Sequence, residues 1–500
     1  MKNLLISLDI GTQGTKCILF DESLSILASA FEPSILVSPK PGTVWQEADD
    51  LYGAVVRTIS SVIREKNISP SDVAAIGLDG QMAGIMGIDV QGQACTCYDS
   101  WLDTRCAPYV KIMREKAGKR ITELTGGPVT YTHGPKILWW KHEQPEVWAK
   151  IHKFVLPHAY LVGRMCGLSG EEATFDYTHL QYSGFGDNKN KTWSAELLRE
   201  FDIDANKMAR IVSPFDVVGV TTREFARQTG LIEGIPVVAG AGDTAASLLG
   251  AGVFEQGMMM DCAGTASVLC SVVDSFVPDL EHETLTMVRA AVDGLWYPLA
   301  YINGGGLCLR WFRDEFTGTP HMDYDQLEKE ALDIPPGCEG LSFVPHFDGR
   351  VLPSNPHIKG GFIGLNWKHT RAHLYRAIME SIACEYRYYF DVTRTLYPRR
   401  SFEQLFAMGG GANSPLFNQI KADVLGLQIT TCEMSDTSLI GSAVIAGTGV
   451  GLFSDCKEPI RRVAAPGRTF FPNSENYEIY QNNFKRYQRA LDAVAAIYKP

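Results

Sequence analysis

The sequence predicts an α/β protein built from two large domains, and three observations carry that prediction. Five hundred residues exceed what one compact core ordinarily organises. Short apolar runs with strand character alternate with longer helical stretches, and loops of small residues follow such runs at 11–15, 240–246, 263–267 and 409–414. The second half also echoes the first: a strand through Met258-Met259-Met260 enters "DCAGTASVL" much as the N-terminal strand enters "DIGTQGTKCIL". The boundary falls near 248–252, giving domains of residues 1–248 and 249–500.

Residues 4–8 read as a buried strand and 17–20 as the next. Between them Gly11 and Gly14 permit a tight turn, while Thr12, Gln13 and Thr15 supply donors. Such a loop can wrap N–H groups around an anion with Asp9 holding a cation beside it, and an ordinary polar hairpin has the same composition. A helix follows over 47–66, with Leu51, Val55, Ile59 and Ile63 on one face. The strand 73–78 runs into "DGQMAG", and 104–235, rich in Trp, Tyr and His, reads as a helical and looped elaboration. The strand 235–239 ends in "GAGDTAA". In the second half a helix over 371–395 precedes the strand 404–408 and the loop "GGGANS". Residues 437–454 carry no charge, but Gly441, Gly447, Gly449 and Gly451 interrupt them, which predicts a close-packed core helix rather than a membrane span.

The net charge of −11, with no basic run longer than a pair such as Arg399-Arg400, argues against a nucleic-acid partner. No CxxC pair occurs among the twelve cysteines, so neither a zinc knuckle nor a thioredoxin-type site is indicated. The apolar stretch after Met1 ends at Asp9, too short for a signal-peptide core. These features predict a cytoplasmic protein with reduced thiols, bound to no membrane.

Loops at strand ends are where open α/β sheets bind ligands. Four of them, two per half, point to two facing domains gripping a phosphorylated ligand in a cleft. The chain has no GxxxxGK[ST], and "GGGANS" lacks the GxGxxG spacing, which excludes a P-loop and disfavours a dinucleotide site. Asp243 follows an apolar strand among Gly240, Gly242, Thr244 and Ala245, where groups can approach it closely. It can take a proton from a hydroxyl that attacks a γ-phosphate, or simply cap a helix starting at Thr244; the residues alone leave both open. His369 and His373 lack the Glu of HExxH and a third ligand, so they read as helix-start residues. Trp139-Trp140 and 386–390 read as core or interface.

Taken together, "DIGTQGTK", "GQMAG", "SWLDTR", "GAGDTA", "DCAGTAS", "MGGGANS" and above all "GGFIGLNWKHTRAHLYRAIMESI" (360–382) resemble the FGGY carbohydrate kinases. The resemblance runs from Asp9 to about Phe453 and is closest to the xylulokinase-like branch. It implies two actin-like ATPase (ribonuclease H-like) domains facing a central cleft, with ATP and Mg²⁺ as cofactors. It further implies that Asp9, Thr12 and Gln13 belong to a first phosphate and Mg²⁺ loop, with Asp9 as the metal ligand. Gly264 and Thr265 would form a second phosphate loop, and Gly410, Gly411 and Asn413 would line an adenosine pocket near Gly306 and Arg310. Asp243 would be the general base, and Gln81, Met82, Trp101, Asp103 and Arg105 would border the sugar. Two positions depart from the xylulokinase pattern: Ala83 stands where His usually follows "GQM", and Leu102 where Asn usually precedes the aspartate. Asp79 and His179 are polar residues near the expected cleft that could compensate. The expected activity is phosphorylation of a terminal hydroxyl of a small ketose or polyol, with xylulose first. Gluconate, ribulose, glycerol-like or tetritol substrates, or an actin-like ATP-binding switch without a sugar substrate, are the alternatives. A homodimer is compatible with the resemblance.

Overall fold

The computed structural model describes residues 3–65 and 68–499. Lys66, the last residue of the predicted first helix, lies outside them. The chain packs as two compact units. One takes in the chain up to Phe254 together with Met287–Trp296 and Met434–Ala464; the other comprises Glu255–Thr286, Tyr297–Glu433 and the chain from Ala465 onward.

The strands used below are β1 (Leu4–Ile10), β2 (Gly14–Phe20), β3 (Ile26–Pro33), β4 (Val73–Gly80), β5 (Val217–Val220), β6 (Pro236–Val238), β7 (Ala241–Gly242), β8 (Met258–Ala263), β9 (Ser267–Ser271), β10 (Trp296–Ile302), β11 (Gln404–Met408), β12 (Gln428–Cys432) and β13 (Pro466–Phe470). The helices are α1 (Ala48–Glu65), α2 (Asp243–Gly250), α3 (Gly305–Phe316), α4 (Tyr324–Leu332), α5 (Arg371–Leu396), α6 (Pro415–Leu425) and α7 (Thr437–Gly449).

In the first unit the sheet runs β5-β6-β4-β1-β2-β3, with β7 also paired to β4. Side chains alternate across β1. Ile6, Leu8 and Ile10 join Leu51, Val55, Ile59 and Ile63 of α1 in one core. Leu5 joins Ala245, Ala246 and Leu249 of α2 and Ala443, Val444 and Ile445 of α7 in another. Asp9 therefore shares the face of Leu5 and Ser7, and the Ser7 hydroxyl donates to the Leu439 carbonyl of α7 at 2.6 Å. The stretch 240–246, read as a loop from sequence, is instead β7 followed directly by the first turn of α2. The "DGQMAG" loop likewise starts later than expected, because Asp79 and Gly80 still belong to β4.

Strand β1 is antiparallel to β2 and parallel to β4, which sets Asp9 beside Asp79. Strand β7 is parallel to β4, with Ala241 beside Asp79 and Gly242 beside Gly80. Parallel pairing at a common register brings Asp9, Asp79 and the start of α2 to the carboxyl ends of neighbouring strands. Open α/β sheets place their ligand sites at such ends.

Glycines make this packing possible. A Cβ on Gly77 would run into the Ser442 carbonyl, one on Gly441 into the Ala246 carbonyl, and one on Gly250 into the Thr437 carbonyl. The small-residue helix predicted over 437–454 is thus real, ending at Gly449. Among the described residues no helix is long and apolar enough to cross a membrane. Gly14 serves the same purpose: neither it nor Gly11 has a positive φ, and a Cβ on Gly14 would strike the Phe31 ring of β3. Close approach, rather than turn geometry, explains that residue.

The second unit repeats the plan. Its strands follow β10-β9-β8-β11-β12-β13, and β8 is antiparallel to β9 and parallel to β11, as β1 is to β2 and β4. Helix α5 starts at a capping box in which His373 Nδ1 accepts the Thr370 N–H at 3.2 Å, and His369 Nδ1 accepts the Asn366 N–H at 3.1 Å. Both histidines act at the helix start, as their spacing predicts.

A substitution tests the close packing. Gly441→Ala must displace backbone on α2 or α7, and overpacking of this kind costs about 1–3 kcal/mol or more. It should lower the melting temperature clearly, whereas Gly163→Ala, with nothing within 4 Å of its Cβ position, should not. Equal thermal melts for the two variants would contradict the packing described.

Candidate active site

Three carboxylates gather at the strand ends of the first unit. Asp79 is completely buried, and its Oδ2 accepts the Ser442 hydroxyl at 2.7 Å while Oδ1 has no hydrogen-bond partner. Asp9 Oδ2 accepts the Ser438 hydroxyl at 3.2 Å. Ser438 and Ser442 are four residues apart on α7, so one helix face serves both acids. Burial, and then the charge of Asp243, push the Asp9 carboxyl up to about 6. Burial and the neighbouring Asp9 raise Asp79 well above the usual carboxylate range. Asp79, expected from sequence as a polar residue that could reach the sugar, is instead packed beneath α7 behind Asp9.

Asp243 is the first residue of α2, with Gly242 at the N-cap, so the predicted cap on a helix starting at Thr244 is displaced by one residue. Its Oδ1 accepts the Thr244 N–H and, at 3.0 Å, the Thr244 hydroxyl. No protein donor among the described residues reaches Oδ2. Burial raises the Asp243 carboxyl above its ordinary value, against the opposing pull of the Thr244 bonds and of His179. A half-engaged carboxylate of this kind can accept a proton.

Residues expected at the sugar form a connected set in the same unit. Trp101 Nε1 donates to the Thr12 hydroxyl at 2.9 Å, Thr12 donates to Gln81 Oε1 at 3.2 Å, and Gln81 Nε2 donates to Gln46 Oε1 at 2.6 Å. Gln13 is exposed at the turn. Met82 is buried, and its methyl lies against Gly242, next to Asp243. Asp103 is completely buried and spends its oxygens on protein donors: Oδ2 on the Val44 N–H at 2.8 Å, Oδ1 on the Arg105 N–H and Nε, each at 3.1 Å. Arg105 also pairs with Asp99 and lies 4.3 Å from the centre of the Trp139 ring, while Trp140 Nε1 donates to Asp99 at 2.6 Å. Asp103 and Arg105 therefore brace the loop that carries Trp101. Ala83 adopts φ 66°, and Leu102 is exposed.

In the second unit, Gly264, Thr265, Gly306, Arg310, Gly410, Gly411 and Asn413 all line one cavity of about 460 Å³. Its walls are completed by Leu307, Leu309, Tyr375, Met379 and Phe417, with Glu328 and Ser414 as further polar groups. This mix of apolar walls and few polar groups suits a small organic ligand. A Cβ on Gly306 would collide with the Gly264 carbonyl, so the first turn of α3 lies directly on the 264–265 loop. The two glycines of "GGGANS" differ. A Cβ on Gly411 would stand 2.5 Å from that of Ala263, inside the protein, whereas one on Gly410 meets only the Ala263 carbonyl, at 4.0 Å. Sequence expects both to admit a ligand; Gly411 is required by packing on β8.

Sequence reasoning missed several supports. Glu328 of α4 accepts the Ser414 hydroxyl at 2.7 Å and the Leu416 N–H at 2.6 Å, anchoring α6 beside the cavity. Ser438 and Ser442 passed as packing residues in an uncharged helix, and only their four-residue spacing hints at a shared partner. His158 and Asp176, which contact His179, carry no motif at all.

Residues 4–250 match the FGGY family of carbohydrate kinases, N-terminal domain, and residues 262–450 its C-terminal domain. A xylulose kinase of Bacillus subtilis is 27% identical over 491 residues, covering 97% of this chain and 96% of that one. A gluconokinase of the same organism is 27% identical over 461 residues, covering 89% and 87%. The crystal structure of a "xyloylose kinase" from Brucella ovis superposes with a TM-score of 0.89 at 25% identity, covering 99% of this chain and 100% of that one.

The cavity yields a direct test. A Gly410→Val side chain has room to enter it, so calorimetry with ADP should show binding weakened by about tenfold or more, roughly 1.4 kcal/mol, with an unchanged thermal melt. Unaltered ADP affinity would remove this cavity as the nucleotide site.

Proposed function

The chain belongs to the FGGY family of carbohydrate kinases, and we propose that its acceptor is a small ketose or polyol phosphorylated at a terminal hydroxyl, xylulose first among them. The chain is a sugar kinase with ATP as phosphate donor, and its two units have the actin-like, ribonuclease H-like fold. Xylulose kinases among the full-length relatives support the first choice. A gluconokinase at equal identity keeps gluconate as the main alternative, ahead of ribulose, glycerol-like and tetritol acceptors.

The observation that carries the mechanism is the free Oδ2 of Asp243. That oxygen takes the proton of the acceptor hydroxyl as the hydroxyl oxygen bonds to the γ-phosphorus. The bond from that phosphorus to the β–γ bridging oxygen breaks, and ADP leaves. Positioning does most of the work in such transfers, and the base adds its share. A raised carboxyl is the better base, which is what burial does to Asp243. Asp9, backed by Asp79, offers the hard oxygen donors that Mg²⁺ takes, and Mg²⁺ held there neutralises phosphate charge. The 263–265 and 410–413 segments hold the nucleotide, with Gly306 and Arg310. Gln81, Met82 and Trp101 border the sugar, and Asp103 and Arg105 hold that border in place. We read the enzyme as cytoplasmic; a homodimer is proposed on family grounds alone.

ADP release measured with xylulose, ribulose, gluconate, glycerol and erythritol identifies the acceptor. Asp243→Asn keeps the size and the Thr244 contact but takes no proton, so turnover should fall by roughly 10²–10⁴-fold while ADP binding and the thermal melt stay near wild type. A near-normal kcat would eliminate Asp243 as the base.

Acidity gives a second test. Asp9 must be ionised to hold a cation, and its carboxyl takes up a proton as pH falls through about 6. Activity at limiting Mg²⁺ should therefore drop below pH 6, and the midpoint should move to lower pH as Mg²⁺ is raised. A midpoint that ignores Mg²⁺ would refute the assignment of Asp9.

A further inference from the structure

Beside the carboxylates lies a completely buried group of histidines, His133, His158 and His179, around Asp176. Asp176 is fully satisfied. Its Oδ1 accepts the N–H of Thr178 at 3.0 Å and the Thr178 hydroxyl, and its Oδ2 accepts His158 Nε2 and His179 Nδ1, each at 2.9 Å. Three of these residues, His158, Asp176 and His179, are close enough to suggest a metal site. The nitrogens that approach Asp176, however, sit at hydrogen-bond distance from its oxygen, so these two rings complete Asp176 as donors, while His158 Nδ1 and both nitrogens of His133 have no hydrogen-bond partner.

That completeness fixes the tautomers. An ionised Asp176 accepts from both rings, so His179 carries a proton on Nδ1, and in the neutral ring Nε2 is then a bare acceptor. His179 Nε2 is buried and has no hydrogen-bond partner. Leaving such an atom unpaired is costly, and native structures keep the defect where something else completes it.

The position of the ring says what that is. His179 Cε1, adjacent to Nε2, and the Met82 methyl approach the same point at Gly242, lying 3.1 and 2.5 Å from where its Cβ would stand. Gly242 immediately precedes Asp243. Gly242 is itself tied to the histidine segment, its N–H donating to the Thr178 hydroxyl at 2.9 Å. The Met82 thioether thus packs beside the ring at Gly242, and methionine repacks readily.

We propose that His179 Nε2 accepts a hydrogen bond from a hydroxyl of the acceptor sugar, reached when Met82 swings aside, with Asp176 as the residue that positions the ring. The proposal rests on the reading of Asp243 as the base and deepens it by naming a residue that selects among acceptors. A bare nitrogen lone pair welcomes a hydroxyl donor and repels a carboxylate, so the pocket selects an uncharged ketose or polyol over an aldonate.

The test compares His179→Asn and His179→Gln with wild type. Asparagine places its amide where Nδ1 stands and keeps the bond to Asp176, but it has nothing at Nε2; glutamine reaches the Nε2 position with an acceptor. For xylulose, or whichever uncharged acceptor of the panel wild type uses best, His179→Asn should raise KM by about 10- to 100-fold. KM for ATP should stay within about twofold and the thermal melt near wild type, and His179→Gln should recover most of the loss. A sugar KM unchanged in His179→Asn, or equal losses for sugar and ATP, would overturn the role of His179 while leaving the kinase reading intact. Better turnover of gluconate than of every uncharged acceptor, or no turnover of any of them by wild type, would overturn the acceptor class and this proposal with it.

Discussion

The parallel pairing of β1 with β4 sets Asp9 and Asp79 side by side, and much of the first unit follows from accommodating them. Two buried carboxylates at one register repel, and each loses hydration worth several kcal/mol. The structure answers with hydroxyls from Ser438 and Ser442, and burial with the neighbouring carboxylates raises both acids above their ordinary range. For those serines to reach, α7 must lie almost on the sheet, and Gly77, Gly250 and Gly441 are what allow it. An uncharged, glycine-rich helix is therefore the packing counterpart of an acidic site.

The second unit shows the same strand plan without that tension. Asp261 of β8 occupies the place that Asp9 has in β1, yet it is met by the buried ammonium of Lys421 and, at 2.5 Å, by the Tyr386 hydroxyl. Its charge is answered from within the protein. Repetition of the fold has thus left Asp9 with a serine hydroxyl and given Asp261 a lysine and a tyrosine, and the loop after Asp261 lines the cavity at Gly264 and Thr265. The two acids differ in their partners although their sheets are built alike.

Much of this could be read from the chain because apolar periodicity and small-residue loops are local signals. The strands at Leu4–Ile10, Val73–Gly80 and Gln404–Met408 and the long helix Arg371–Leu396 follow from such patterns. Seven residues drawn from three separate segments line one cavity, because each segment follows a strand that ends on the same side of the sheet. What stayed hidden depends on distant pairing. Nothing near Asp79 in sequence announces Ser442, 363 residues away. Asp99, Arg105 and Trp140 join only once the elaboration between the strands has folded. Gly411 and Gly14 looked like ligand or turn glycines, and only the positions of Ala263 and Phe31 reveal them as packing glycines.

The loop at Ala83 shows how selectivity can shift without a change of fold. Ala83 has φ 66°, a left-handed conformation costly for β-branched side chains but visited by histidine more readily. Gly84, which follows, could not bear a side chain, since its Cβ would enter the Tyr98 hydroxyl. The backbone there is thus compatible with an imidazole, and its replacement by a methyl group is a change of chemistry alone. A methyl group offers no hydrogen bond, so a polar contact beside Met82 and Gly242 comes from other elements. The segment Tyr177–Tyr182, joined to Gly242 through Thr178, is the element that carries a buried imidazole to that place.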